Sequence, residues 1–205
     1  MHKKLWTKSE TIIHKYGNEK QDFHIWVSAD VKIWYWVVVS NSNLSFTLDI
    51  EYENADVECY FLLPAIKNQT TTLNIVTNFK SSNAKVDINV IALSCDQACI
   101  TLNGNLHIHP WVKNVNARLY EEALLISDAK YVSMIPWLRV DSPDVIASHW
   151  AKIYRISPER LFYMQSRGLS EQKAMNMIIH SYSQWISDKL NLNEKEKSDF
   201  YSMIA

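Results

Sequence analysis

Two histidines on one extended segment are the first side chains in this sequence that could perform chemistry. In His107-Ile108-His109 the two imidazoles lie two residues apart, so they share one face of a strand. Neutral imidazole binds zinc, copper and iron, but two imidazoles alone do not complete a metal site. No clear third ligand follows, although Glu121 and Glu122 could approach from a neighbouring strand. We interpret the histidine pair as polar surface residues.

The three cysteines form a weaker pattern. Cys95 and Cys99 would share a face of a continuous strand but stand about 13 Å apart, and a turn at Asp96 and Gln97 would bring them closer. Iron–sulfur clusters are normally held by several thiolates, and Cys59 lies far upstream of the other two thiols. We therefore interpret the cysteines as structural. Their odd number argues against a disulfide framework and is typical of a reducing cytoplasm.

Serine-based catalysis is not indicated by this sequence. Ser148 directly precedes His149, and adjacent strand residues point to opposite faces, so the two side chains cannot act together. The segment Ser166-Arg167-Gly168 follows a helix rather than a strand, so it is not a nucleophile elbow. No Gly-x-Gly-x-x-Gly or Walker-type loop occurs, and the chain is not expected to bind ATP. We predict that it is not an enzyme.

The composition is that of a globular protein without a strong charge. Hydrophobic residues make up 47% of the 205 residues, and the formal net charge is −1. Such a balance gives no electrostatic reason to bind nucleic acid or an acidic membrane. Residues 37–39 with the aromatics before them are too short to span a bilayer, and no apolar segment follows the basic residues 1–4. We predict a cytoplasmic protein.

Alternation of apolar and polar residues dominates the first three quarters of the chain. Strand-like segments begin near residues 55, 71, 84, 98, 115, 129 and 145, a recurrence of roughly 13–17 residues. The clearest segment places five apolar or aromatic side chains on one face: Leu44, Phe46, Leu48, Ile50 and Tyr52. Short strands at this spacing fit a β-sandwich and a β-helix equally well.

Glycine is scarce, and its scarcity leads to a further expectation. With only 3 glycines, few positions should take positive φ. Asn, Asp, Lys and Ser fill the predicted turns at residues 67–69, 81–83 and 112–114.

The last quarter changes to a helical period. Ser157 and Pro158 are typical of an N-cap and a first helical position, and Gly168 of the residue after a helix end. Ser170 caps a second helix, and Asn193 opens a third. An apolar stripe along the second helix is expected to be mainly core: Ala174, Met177, Ile178, Ser181, Tyr182, Trp185 and Ile186. The boundary near Arg155 divides the chain into a β domain, 1–155, and a helical region, 156–205.

One set of residues in this last part is specific enough to indicate a family. His149 lies on a β-like run, and a helix with Leu161-Phe162-Tyr163 follows and ends at Ser166-Arg167-Gly168. In residue types and spacing this part resembles the SufB/SufD family, the scaffold subunits of an iron–sulfur cluster assembly complex. The similarity extends from about residue 105 to 190 and more weakly back to residue 42, with rung-like segments at 114–120, 124–130 and 135–140.

The resemblance implies a mainly β fold, a right-handed parallel β-helix followed by a small C-terminal helical region. Family members are longer, so it also implies a shortened member that lacks the N-terminal half. Unpaired backbone groups at an uncapped β-helix end would invite strand addition. The run Trp34-Tyr35-Trp36-Val37 near that end would offer apolar area for this contact.

The family's metal-linked positions carry over only in part. The resemblance implies that the family's histidine corresponds to His149, which is the tentative iron ligand. The family's cysteine falls where this chain has Glu121-Glu122-Ala123, a segment about two residues shorter and without a thiol. We therefore expect no stably bound cofactor and, at most, transient binding of iron or an iron–sulfur cluster.

The predicted function follows from the same resemblance. It implies a non-catalytic subunit that supports iron–sulfur cluster assembly and docks a SufC-like ABC-type ATPase. The expected docking residues lie in the helical region: Leu161, Phe162, Tyr163, Arg167, Tyr182 and Trp185. The alternative is a degenerate β-helix interaction module that pairs with another SufB/SufD-like chain, or with itself as a homodimer, and binds no cluster. A carbohydrate-active β-helix enzyme is disfavoured, because no groove lined by acidic and basic residues is indicated.

Overall fold

The computed structural model describes residues 2–17, 20–27, 32–126 and 131–189. These residues form twelve strands and two helices. Their bounds are β1 (His2–Trp6), β2 (Glu10–Gly17), β3 (Lys20–Val27), β4 (Lys32–Ser40), β5 (Asn43–Ile50), β6 (Asp56–Ala65), β7 (Thr70–Phe79), β8 (Lys85–Ser94), β9 (Cys99–Ile108), β10 (Val115–Leu125), β11 (Tyr131–Val140), β12 (Val145–Arg155), α1 (Pro158–Ser166) and α2 (Glu171–Lys189).

The strands alternate between two parallel sheets. The odd-numbered strands form one six-stranded sheet in the order β1-β3-β5-β7-β9-β11, which we call the odd sheet. The even-numbered strands form the even sheet in the order β2-β4-β6-β8-β10-β12. Because each strand pairs in parallel with the strand one coil later, as Asp56 does with Lys85, the chain winds as a β-solenoid. This arrangement confirms the parallel β-helix and excludes the sandwich.

The sequence period predicted the strand positions closely. The strands of the last four coils begin within two residues of the expected positions, at Asp56, Thr70, Lys85, Cys99, Val115, Tyr131 and Val145. Each repeat of this period corresponds to half a coil of the solenoid, which consists of one strand and one corner.

The interior between the sheets is filled by the alternate side chains of each strand. Leu44, Phe46, Leu48 and Ile50 are all buried, as the alternation predicted, but Tyr52 is exposed because β5 ends at Ile50. The Phe46 ring stacks on that of Tyr35 at 5.3 Å and meets that of Phe61 edge to face at 5.1 Å, so aromatic side chains contact one another across the interior. Each such pair contributes about 0.5–1.5 kcal/mol beyond its buried area.

Two of the four residues predicted to form a contact surface at residues 34–37 are buried, and contact through this segment otherwise stays a prediction. These residues lie in β4, which pairs with both β2 and β6 inside the even sheet. Tyr35 and Val37 are each only 1% exposed, because alternation turns them into the interior. They stabilise the core and offer no apolar area to a partner.

Positive φ angles are few, as expected, but most of them fall on residues other than glycine. In the described part of the chain six non-glycine residues adopt them, each at or beside a corner of the solenoid: Asn41, Asn54, Lys67, Asn83, Asp96 and Asn114. Asparagine and aspartate tolerate this conformation, since their short polar side chains bond locally. The Asn114 amide, for example, donates to Asn83 Oδ1 one coil earlier, at 2.9 Å.

The chain divides into two compact units, Met1–Ile153 and Tyr154–Ala205. In the second unit Ser157 is the N-cap of α1 and accepts a hydrogen bond from the Arg160 amide at 3.2 Å. Pro158 follows at the first helical position, and Gly168 takes φ +88° after the helix end. The helix predicted from Asn193 lies outside the described residues. Neither described helix is both long enough and apolar enough to cross a bilayer.

Candidate functional site

His149 lies on β12, the last strand of the even sheet. Val145 and Ala147 on the same strand pack against the core, so alternation places His149 on that same side. Its side chain is nevertheless exposed to solvent. Across the part of the chain that the structure describes, no group of three or more His, Cys, Asp or Glu side chains is arranged to hold a metal ion. An iron-binding role for His149 stays a prediction.

The segment that replaces the family's cysteine contains two glutamates with opposite orientations. Glu121 points into the interior and is 1% exposed, whereas the Glu122 carboxylate lies on the outer face and accepts a hydrogen bond from the Tyr120 hydroxyl at 2.7 Å. Both belong to β10 of the even sheet, while His107 belongs to β9 of the odd sheet and His109 directly follows the end of that strand. The sequence-based option that these glutamates join the histidines is therefore wrong.

His107 near the end of β9 and His109 just after it begin a row of rings on the outer side of the odd sheet. The His107 and His109 ring centroids are 4.2 Å apart, and the Trp111 ring stacks next at 4.8 Å. Asp141 Oδ2 lies 3.1 Å from His107 Nε2, and this hydrogen bond lowers the pKa of Asp141. Burial, followed by the neighbouring His107, lowers the pKa of His109.

Asp141 is the neighbour of the histidines that sequence reasoning missed. Asp141 follows the end of β11, the strand that lies one coil after β9. In the alignment of these two coils, Asp141 stands next to His109. Its position could have been inferred only from the pairing of β9 with β11. Because the described groups form no metal-binding arrangement, we interpret this row as a polar surface ladder.

The three cysteines are free and occupy different surroundings. Cys59 is fully buried, and burial raises the pKa of its thiol far above the usual range, so it remains protonated. Cys95 and Cys99 flank the corner at which Asp96 takes φ +57° and the Ala98 amide donates to the Cys95 carbonyl at 3.4 Å. The turn proposed from the sequence is therefore present.

The candidate docking residues of the helical unit include several exposed aromatic side chains. Phe162 and Tyr163 of α1 are 71% and 60% exposed, and the Arg167 guanidinium lies 5.3 Å from the Tyr163 ring centroid. Leu161 is half-buried, and the Tyr182 hydroxyl of α2 bonds to the Tyr154 hydroxyl.

The apolar stripe of α2 does not lie wholly in the core. Ala174 and Ile178 are buried, but Met177 and Trp185 are 53% and 45% exposed. The stripe was expected to be mainly core, and this division leaves two large apolar side chains accessible on the helix.

A second accessible apolar surface lies at the end of the solenoid. β11 and β12 are the edge strands of the odd and even sheets at this end. Six large apolar or aromatic side chains on these two strands are between 43% and 68% exposed: Tyr131, Ile135, Trp137, Ile146, Trp150 and Ile153. Edge strands with exposed apolar residues are typical association sites. We call this surface the β11/β12 edge.

Residues 22–182 match a family model described as the SufBD core domain of the SUF system for iron–sulfur cluster assembly. The match covers well over half of the chain and includes most of the solenoid, all of α1 and much of α2.

Individual relatives agree with this match. An iron–sulfur cluster assembly SufBD family protein of Staphylococcus saprophyticus is 27% identical over 50% of this chain and 22% of its own length. The iron–sulfur cluster assembly protein SufD of Escherichia coli is 28% identical over 46% of this chain and 22% of its own length. A SufBD family protein of Staphylococcus epidermidis is 24% identical over 72% of this chain and 32% of its own length. The matched part therefore spans at most about a third of each relative.

Proposed function

The chain belongs to the SufBD family, and on this premise we propose that it is a non-catalytic subunit that supports iron–sulfur cluster assembly. In this role it docks a SufC-like ABC-type ATPase through its helical unit and a second SufB/SufD-like chain, or another copy of itself, through the β11/β12 edge. The observation that carries the proposal is the family match, which runs from the solenoid into α2.

The exposed residues of the helical unit support the ATPase contact. Phe162 and Tyr163 are large aromatic side chains that lie mostly in solvent, and Arg167 holds its guanidinium close to Tyr163. Aromatic residues and arginine dominate the energy of protein interfaces, since they bury large areas with few rotatable bonds. A surface of this kind at the family's matching motif is the place where we expect the ATPase to bind.

Capture of a SufC-like ATPase by the full chain tests this proposal. The double variant Phe162→Ala/Tyr163→Ala is expected to weaken capture by about tenfold or more, because both exposed anchors are lost. Trp111→Ala is the matched control, since Trp111 is 64% exposed on the solenoid and should leave capture unchanged. Equal capture by the wild type and the double variant would refute docking through α1.

The second candidate function is the interaction module that binds no cluster. It is favoured by the segment Glu121-Glu122-Ala123, which offers no thiol where the family's cysteine is found. Both candidates need the β11/β12 edge, but only the first needs cluster or iron to pass through the complex. Cluster transfer from the assembled complex to an apo-acceptor, compared with and without this chain, distinguishes them.

A further inference from the structure

The Glu121 carboxyl group points into the interior of the solenoid, where most buried side chains are apolar. Glu121 lies between the buried residues Leu119 and Ala123 on the core-facing side of β10, and it pairs with Val90 of β8. Its Oε2 atom is buried without a hydrogen-bond partner among the described protein atoms. An ionised carboxylate in such surroundings is far more costly than a neutral carboxylic acid.

The opposite sheet provides the space that this carboxyl group occupies. A Cβ atom added to Gly104 of β9 would lie 2.5 Å from Glu121 Oε1 and 2.4 Å from Leu119 Cδ2. Both distances are shorter than van der Waals contact allows, so no other residue type fits at position 104 without displacing Glu121 or Leu119. The missing side chain of Gly104 and the long side chain of Glu121 are complementary across the interior.

The described residues give this carboxyl group no ion-pair partner. The core-facing residues of β8 and β9 carry no titratable group, although Ser94 of β8 is buried and polar, and those of β11 that pack against the core are apolar. On β12 the titratable group on the core-facing side is His149, which is exposed. Arg118, Glu122 and Asp87 lie on the outer face. Burial alone raises the pKa of Glu121 to about 7.

We propose that Glu121 is a proton-dependent lock of the solenoid, which holds the coil of β9 and β10 closed while the carboxyl group is protonated and loosens it when the group ionises. The folded protein binds this proton more tightly than the unfolded chain does, whose ordinary pKa is 4.5. The stabilisation is therefore complete below about pH 4.5 and is lost as the pH rises through about 7. Since β10 neighbours β12, loosening reaches the β11/β12 edge.

Urea unfolding of the full chain between pH 5 and 8.5 tests the lock. The unfolding equilibrium constant of the wild type is expected to rise on the order of 100-fold relative to Glu121→Gln over this range. The amide has nearly the shape of the neutral acid and cannot ionise. Glu122→Gln, which changes the exposed neighbour, and His149→Asn should both retain the wild-type pH profile. The same profile in Glu121→Gln and the wild type would overturn the proposal.

A direct titration keeps the test valid if Glu121→Gln does not fold. Carbon-13 NMR of glutamate side-chain carboxyl groups in the wild type follows ionisation without any substitution. We expect one glutamate with a midpoint near 7, whose titration coincides with faster hydrogen exchange of the β9 and β10 amides. If all glutamates titrate near pH 4.5, the lock does not exist.

Discussion

At the scale of single residues, Asp49 shows how a charged group can be buried on the outer face of a sheet. Its side chain is 4% exposed and accepts hydrogen bonds from His24 at 2.7 Å, Asn78 at 2.7 Å and Lys80 at 2.9 Å. The four residues join β3, β5 and the end of β7. Burial alone would raise the pKa of Asp49, but the three donors outweigh it and hold the pKa below its ordinary value.

Replacing Asp49 by asparagine is expected to destabilise the protein by about 1–3 kcal/mol, since a buried, charge-assisted network loses its acceptor. Because the folded pKa is depressed, this stabilisation is present above the unfolded value of 3.8 and is lost as the pH falls through the lower folded value. Urea unfolding at pH 7 and below pH 4 measures both effects. Asp141→Asn, at an exposed carboxylate, is the comparison and should change the urea midpoint far less, since solvent screens its contacts with His107 and Arg139. An Asp49→Asn variant as stable as the wild type at pH 7 would show that the network contributes nothing.

His149 is the residue on which any metal chemistry would depend. A single exposed imidazole supplies one bond to iron. Of the three thiols, that of Cys59 is buried within a strand, and those of Cys95 and Cys99 flank a corner. We expect no persistent chromophore near 400 nm after anaerobic reconstitution with iron and sulfide and desalting. A stoichiometric chromophore in the wild type that disappears in His149→Ala would contradict this expectation and identify a cluster site.

At the scale of elements, the solenoid explains which features the sequence could predict. A period of two predicted the strands, because one face of each strand from β4 to β10 is buried. It could not distinguish a sandwich from a solenoid, since pairing between residues such as Asp56 and Lys85 is not local. The turns predicted at residues 67–69, 81–83 and 112–114 are corners, but the expectation about positive φ considered glycine alone and missed the recurrence of Asn54, Asn83 and Asn114 at one corner of successive coils. Glu121 alternates with Leu119 and Ala123, so the sequence also indicated an interior position for its side chain, which the prediction did not include.

The corner residue Lys67 provides a test of this account. Lysine at φ +55° has a Cβ that crowds the backbone and no short side chain that bonds locally. Lys67→Gly is therefore expected to raise the free energy of unfolding by about 1 kcal/mol, measured by urea denaturation. Asn83→Gly is the comparison, since it loses the hydrogen bond to Asn114 and should gain less. A destabilised Lys67→Gly variant would show that the lysine side chain supports the corner in another way.

At the scale of the whole molecule, the distribution of exposed apolar residues indicates where another chain binds. The interior buries its apolar side chains almost completely, with values such as 0% for Leu44 and Val57. The outer faces of β11 and β12, in contrast, expose Trp137 at 66% and Ile146 at 68%. At this end of the solenoid, these strands also have outer backbone edges with no neighbouring strand in the described sheets. Exposed apolar side chains and unpaired backbone groups on the same two strands favour pairing by strand addition or by face contact.

We therefore expect the protein to associate at tens of micromolar, either with itself or with a second SufB/SufD-like chain. Trp137→Lys should shift the mass measured by light scattering towards the monomer, because a charge replaces the largest exposed apolar side chain of β11 and would be desolvated on pairing. Trp111→Lys carries the same change at a side chain with 64% exposure that lies outside β11 and β12, and it should keep the wild-type mass. Equal loss of association in both variants would indicate non-specific hydrophobic association and not a contact through the β11/β12 edge. A wild-type chain that stays monomeric and captures no SufB/SufD-like chain would refute the pairing itself.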